Sequence, residues 1–280
     1  MRRDSFGSRT FLLIWPVLLL WSGLARAFIP QSEHDTLVAI YNATGGPNWT
    51  NHTGWNGKPR TECGWYGVTC DAADTHVIQL SLDGNNLTGA LPALSGLPSL
   101  GTVYFSANSL TALPPDLASL SALTYFYADQ NQITGTLPDL SGLQNLVVFS
   151  VAGNQLGGVL PSLPSGLQGF FVNLNQFTGS IPSSLEFASA LQTYNVQFNR
   201  LTGPVPNVLG GLAALRHFLV AGNRLSGTLP DVPIINNLQN TGSTLCPNLF
   251  VPLNDSAWDA ATGQSPWWSD CPIFFDGFDF

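Results

Sequence analysis

The sequence predicts an α/β solenoid, a stack of short coils that share one apolar interior and are closed at both ends. Three observations carry this reading. A motif first met as LSLDGNNLTGALP (Leu80 to Pro92) returns six more times before residue 231. Each copy holds one asparagine at a fixed place: Asn85, Asn108, Asn131, Asn154, Asn175, Asn199 and Asn223, at intervals of 23, 23, 23, 21, 24 and 24 residues. Large apolar residues stand five and three places before that asparagine, with one outward residue between them, the alternation of a short strand buried on one side. Self-similarity at such a period marks a repeat architecture.

The chain opens with a segment of a different kind. Arg2, Arg3 and Arg9 precede FLLIWPVLLLW, an apolar run of 11 residues from Phe11 to Trp21, and Ala25-Arg26-Ala27 offers a cleavage site. That order is a secretory signal peptide over residues 1–27, and the run falls short of the roughly 20 residues that a membrane span needs. No second apolar stretch of spanning length follows. Without residues 1–27 the chain keeps five basic residues against sixteen acidic ones, a net charge of −11. Such a chain is a poor candidate for binding nucleic acid or anionic membranes, because the electrostatic term has the wrong sign. With only 9 % charged residues and 44 % hydrophobic ones, the chain is ordered and its surface is built from Ser, Thr, Asn, Gln and Gly.

Residues 28–76 precede the first coil. Ser32 with Asp35 three places on signals a helix start, Leu37, Val38, Ile40 and Tyr41 give one apolar face, and Gly45-Gly46-Pro47 stops the helix. Trp49, Trp55 and Trp65 supply large surfaces to cover an open coil, which one end of any solenoid requires. ECGWYGVTC (Glu62 to Cys70) places Cys63 and Cys70 with six residues between them. A zinc site would need a second ligand pair, which is absent nearby, and His52 and His76 are read as bystanders. A redox pair is normally spaced by two residues. An even number of cysteines in an exported chain reads first as disulfides.

Within the repeats, residues 77–233, each part has a physical reason. A buried side-chain amide bonds backbone groups that the turning chain leaves unpaired. The apolar residue two places after each asparagine fills the core from the far side, and the Thr/Ser-Gly-x-Leu/Ile/Val-Pro that follows allows a tight turn and stops strand pairing. One coil cannot bury its own face; stacked coils can, each inward Leu or Phe contributing about 1.5–3 kcal/mol.

These motifs resemble plant-type leucine-rich repeats, with the pattern LxxLxLxxNxLxGxIPxxLxxL. The resemblance implies a horseshoe with a parallel β-sheet on the concave face and short helical or extended segments on the convex face. Two departures are visible: Ala112 stands where the other copies have glycine, and the interval before Asn175 is short around PSLPSGL. Residues 28–76 resemble the N-terminal cap of such proteins, with its W…W…CxWxGVxC pattern. That likeness implies a Cys63–Cys70 disulfide pinning an edge hairpin, worth about 2–3 kcal/mol for so small a loop.

After Pro230 the pattern decays over residues 234–280. Ile234, Ile235 and Leu238 suit a truncated eighth coil, and Cys246 and Cys271 are expected to pair across a loop carrying Trp258, Trp267 and Trp268. These tryptophans read first as core cover, with a carbohydrate platform as the alternative. The final IFFDGFDF resembles Asp-Gly-Phe tails of some secreted proteobacterial proteins, which implies a bacterial source, and hence the periplasm as a possible compartment. Five sequons, at Asn42, Asn48, Asn51, Asn86 and Asn254, matter only in a host that glycosylates.

Alternation also fixes which residues face the groove. The expected concave-face binding residues are Tyr104, Tyr125, Tyr127, Phe171, Asp129, Asn173, Asn195 and His217, with the aromatic ones clustered on neighbouring coils. Exposed aromatics on a rigid sheet offer recognition area at little entropic cost, and they also stabilise sheets. Asp83 and Asp129 stand two coils apart, about 10 Å, and lack the partner a glycosidase would need. No nucleophile elbow, phosphate loop or metal quartet is present, so the chain reads as a non-enzyme without cofactor or metal. The expected function is a secreted, monomeric binding module for an extracellular protein, peptide or glycan. An extracellular polysaccharide-active enzyme and a passive coat, adhesion or ice-binding protein are the alternatives. The irregular, aromatic outward columns argue against a lattice match.

Overall fold

A computed structural model describes residues 28–232, 238, 242–269 and 271. The signal-peptide segment, Ile234, Ile235 and the IFFDGFDF tail lie outside the described residues.

The chain winds into a leucine-rich-repeat solenoid. Its main sheet has eight strands, beginning with Val68–Cys70, antiparallel to Val77–Ser81. Six parallel strands follow: Thr102–Tyr104, Tyr125–Tyr127, Val148–Ser150, Gly169–Phe171, Thr193–Asn195 and His217–Leu219. Gln79, Thr102, Tyr125, Val148, Gly169, Thr193 and His217 stand abreast in register, and so do Ser81, Tyr104, Tyr127, Ser150, Phe171, Asn195 and Leu219. The stretch after each asparagine forms a second, flanking set of short parallel strands, Thr88–Ala90 on Ser109–Ala112 and Thr202–Gly203 on Arg224–Gly227 among them. The Ala112 departure shows there as a register shift against Gly89/Ala90. Short 3-10 turns at Leu117–Ser119, Ser183–Phe187 and Leu209–Gly211 complete several coils on the convex side.

The asparagines hold the coils together. In each coil from Asn108 onward the amide oxygen accepts the backbone N–H two places after the previous asparagine: Leu110 gives to Asn131 and Ile133 to Asn154, each at 2.9 Å. The amide nitrogen donates back to the previous coil and to its own, as Asn131 does to the carbonyls of Phe105 at 3.0 Å and Ala128 at 3.2 Å. Asn85 closes the series against the cap, exchanging bonds with Asn51. Asn248 adds an eighth rung that the sequence reading overlooked, accepting from Leu225 N–H at 2.9 Å and donating to Val220. The last coil is thus less truncated than expected.

Beneath the sheet, Phe126, Phe149, Phe170, Tyr194 and Phe218 stack with centroids 5.4 to 6.2 Å apart. Trp258 ends the column 6.2 Å from Phe218, fully buried, its indole N–H bonded to the Pro230 carbonyl. Asp255 caps the helix Ser256–Thr262 that delivers it, accepting the amides of Ala257 and Trp258. Trp267 is buried as well, so both read as core cover rather than as a carbohydrate platform. Cys246 and Cys271 are bonded.

At the other end the helix Gln31–Ala43 buries Leu37, Ile40 and Tyr41. It starts one residue before the expected Ser32: Pro30 occupies the cap position with no side-chain bond, and Asp35 instead accepts from Gln31. Trp49, Trp55 and Trp65 are buried with every indole N–H bonded, and Cys63–Cys70 closes the hairpin beside them. His76 is not a bystander. Its Nδ1 lies 2.6 Å from fully buried Glu33, whose other oxygen takes the Val77 amide, and His34 pairs equally closely with buried Glu62. A buried carboxylate needs such partners.

Replacing Asn131 by alanine strands the buried Leu110 amide, at about 1–3 kcal/mol, and removes one of two asparagine donors from the Phe105 and Ala128 carbonyls, which keep Asn108 and Asn154. Urea unfolding of Asn131→Ala should show a loss of about 2 kcal/mol or more, against less than about 1 kcal/mol for Gln132→Ala on the exposed side.

Candidate functional site

The concave face carries a block of three tyrosines. Tyr104 and Tyr127 hold the same register on adjacent strands, and their rings stack 5.3 Å apart at 10°. Tyr125 stands beside them on the same strand and keeps 36 % of its surface in water. Burial, then the neighbouring Tyr104 and Tyr125 hydroxyls and Asp129, pushes the Tyr127 phenol above its ordinary range.

Phe171 does not join this block. The strand Val148–Ser150 lies between, so Phe171 sits two strand spacings from Tyr127, about 10 Å. Its ring folds back over Gly169, where an added Cβ would come within 2.7 Å of it. Ser150 stands between Tyr127 and Phe171, buried and with its hydroxyl bonded to Asp129. The expected single cluster is therefore a tyrosine block with Phe171 set apart from it, because a small residue interrupts the column.

Asp129 is committed to structure: it accepts the Ala152 amide at 2.7 Å and the Ser150 hydroxyl. Asp83 braces the Ser106 amide in the same way. Burial raises its carboxyl above the usual range, with the charge of Asp129 adding to the effect. Asn173 stands two places beyond Phe171, just past the end of its strand. Asn195 and His217 lie further along the sheet; Asn195 turns back to the Gln197 amide, and His217 faces Thr193 at 3.2 Å under Gly242. The eight expected residues thus share one face without sharing one spot.

Sequence reasoning missed a second surface. The residue before each ladder asparagine is left-handed, and Gly84, Gly153 and Gly222 suit that conformation. Leu174 (φ 57°) and Phe198 (φ 52°) occupy the same position on adjacent coils, with 54 % and 52 % of their surfaces exposed. Bulky residues there cost about 1–2 kcal/mol each. The available signal was the column itself, in which two large apolar side chains replace glycine. Charge is uneven as well. From residue 61 to 199 there are eight acidic residues and no Lys or Arg, whereas from 187 to 230 there are three arginines and no acid. Among the described residues, the ion pairs are the two His–Glu pairs of the cap.

Among the described residues, no group of His, Cys, Asp or Glu could hold a metal ion, and no helix is long and apolar enough to cross a membrane.

Residues 30–71 match the family model of the leucine rich repeat N-terminal domain. Among solved structures, the chain is similar to a plant ice-binding protein at 25 % identity, covering 79 % of this chain and 73 % of that one, TM-score 0.66. It is also similar to the leucine-rich-repeat ectodomain of the membrane receptor kinase GASSHO1/SCHENGEN3 from Arabidopsis thaliana, solved in complex with Casparian strip integrity factor 2. That match has 26 % identity, covers 78 % of this chain but spans only 30 % of the ectodomain, and has a TM-score of 0.61. Pollen receptor kinase 3, at 21 % identity, shares the fold, with 75 % of this chain and 96 % of that one covered and a TM-score of 0.56. The class is thereby defined: a leucine-rich-repeat solenoid of the plant type. More particularly, it is one with the N-terminal cap that such proteins carry.

Phe198→Gly removes a strained, exposed side chain from a position that glycine fills elsewhere. Its unfolding free energy, measured in urea, should stay level or rise by up to about 1 kcal/mol. A loss beyond about 2 kcal/mol would show that Phe198 serves the core.

Proposed function

We propose that this chain is a secreted, non-enzymatic binding module that takes an extracellular peptide, protein or glycan segment across its concave sheet. One observation carries the reading: the stacked Tyr104–Tyr127 pair on the concave face, with exposed Tyr125 beside it. The fold holds these rings on adjacent strands, so little entropy is lost when a ligand covers them. The likeness to a peptide-bound receptor ectodomain supports a binding role, and the two disulfides fit an oxidising compartment outside the cell or in a periplasm. A bacterial source rests on the tail sequence alone, and a monomer is the simplest state for a solenoid sealed at both ends.

The mature chain and its Tyr104→Ala/Tyr127→Ala form should be compared on arrays of extracellular peptides and oligosaccharides. Ligands of the mature chain should lose about tenfold or more in affinity in the double variant, the equivalent of about 1.4 kcal/mol. Equal affinity would remove the tyrosine block from the site, and turnover of any polysaccharide by pure protein would favour an enzyme.

One observation supports a second reading, ice binding. Thr88, Thr111, Thr134, Thr178 and Thr202 recur three places after their asparagines and are all exposed along the flank, and a plant ice-binding protein is among the similar structures. This regularity belongs to the flank, not to the irregular concave columns. Inhibition of ice recrystallisation by the mature chain, lost in Thr111→Lys/Thr134→Lys, would establish it; no inhibition by the unsubstituted chain would end it.

A further inference from the structure

At the edge where the concave sheet passes into the flank, the fifth, sixth and seventh coils present a face unlike the rest. Phe198 is outward on one coil and Leu174 on the coil before, both more than half exposed. Two places after Phe198 and Gly222, the outward positions are Arg200 and Arg224, both exposed and without a carboxylate within ion-pair distance among the described residues. An apolar pair thus adjoins a basic pair in a chain whose charge is otherwise negative. The Phe198 ring leans over Gly222, where an added Cβ would lie 2.5 Å from it, so the apolar surface extends towards the last coil.

We propose that this face is the docking site of the chain's own residues 272–280. Their sequence, PIFFDGFDF, combines one isoleucine and four phenylalanines with Asp276 and Asp279 and has no basic residue, the complement of the face in both respects. The path is short. Cys271 is bonded to Cys246, their Cα atoms 5.2 Å apart, and Pro247 next in sequence accepts the Gly222 amide at 2.8 Å. Phe198 lies one strand spacing beyond Gly222 and Leu174 one further, about 5 Å each. The nine residues after Cys271 can span about 30 Å when extended, enough to cross all three coils. Tethering places the segment at an effective concentration near millimolar, so an intrinsic dissociation constant of about 0.1 mM suffices for roughly tenfold occupancy. The face would then be covered unless a competitor of similar chemistry displaced the segment. This inference is independent of the concave-face reading and stands or falls separately.

The test is phenylglyoxal modification of the full chain, read by peptide mass mapping, with exposed Arg216 as internal reference. Arg200 and Arg224 should react about tenfold more slowly than Arg216, matching that occupancy. In Asp276→Asn/Asp279→Asn, which alters no residue of the solenoid, the three rates should converge. Equal rates in the unsubstituted chain, or protection that survives the double substitution, would overturn the proposal. Protection that grows with protein concentration would assign the face to a second copy and overturn it equally. Leu174→Gly/Phe198→Gly supplies the reciprocal check: it should release the arginines while the urea midpoint holds, and continued protection would count against docking.

Discussion

A chain that turns back on itself every two dozen residues leaves amides and carbonyls facing an apolar interior, and satisfying them is the constraint on which this molecule rests. Neither helix nor sheet can do so at the corner, because the backbone there is changing direction. A side-chain amide can, since it offers two donors and an acceptor from one short stem. Asn131 illustrates the economy: one buried side chain satisfies Leu110 N–H and carbonyls on two coils. The bonds run between coils as well as within them, so each rung fixes the spacing of the next. The in-register inner sheet and the stacked phenylalanines follow from that spacing.

Repetition solves the interior and leaves the ends open. The two lids share a logic while differing in parts. At the start, three tryptophans and a helix cover the first coil, and a disulfide fastens the edge strand. At the finish, Trp258 drops onto the aromatic column from a short capped helix, with a second disulfide behind it. The amide series runs into both lids, through Asn85 to Asn51 and through Asn248 to Leu225, so each lid is tied to the stack by the same device that builds it.

Much of this was legible because a buried repeat must be strict. The period, the inward asparagine and the outward columns all follow from alternation, and the cap cysteines lie in a recognisable string. What escaped lies where the repeat relaxes. Asn248 stands after Cys246-Pro247, outside the familiar motif, although it keeps a spacing of 25 residues from Asn223. His76 looked idle because its partner Glu33 is 43 residues away in sequence. Phe171 seemed to join the tyrosines because a column read from sequence does not show that Ser150 is sunk between them. Leu174 and Phe198 were passed over because the column before the asparagines, where glycine recurs, was not compared; the left-handed backbone there explains why glycine suits it.

The frame holds aromatic rings outward on the groove and an apolar, basic edge beside it, the two places where the proposed binding sites lie. Both depend on coils that move as one body. Native-state hydrogen exchange of the amides that the asparagines accept tests this most directly, at Leu110, Ile133, Leu156 and Phe177 in the central coils. They should exchange as slowly as the inner-sheet amides, opening only when the stack itself unfolds. Exchange at the pace of exposed loops would mean that the amide ladder does not hold the coils, and the account would fail with it.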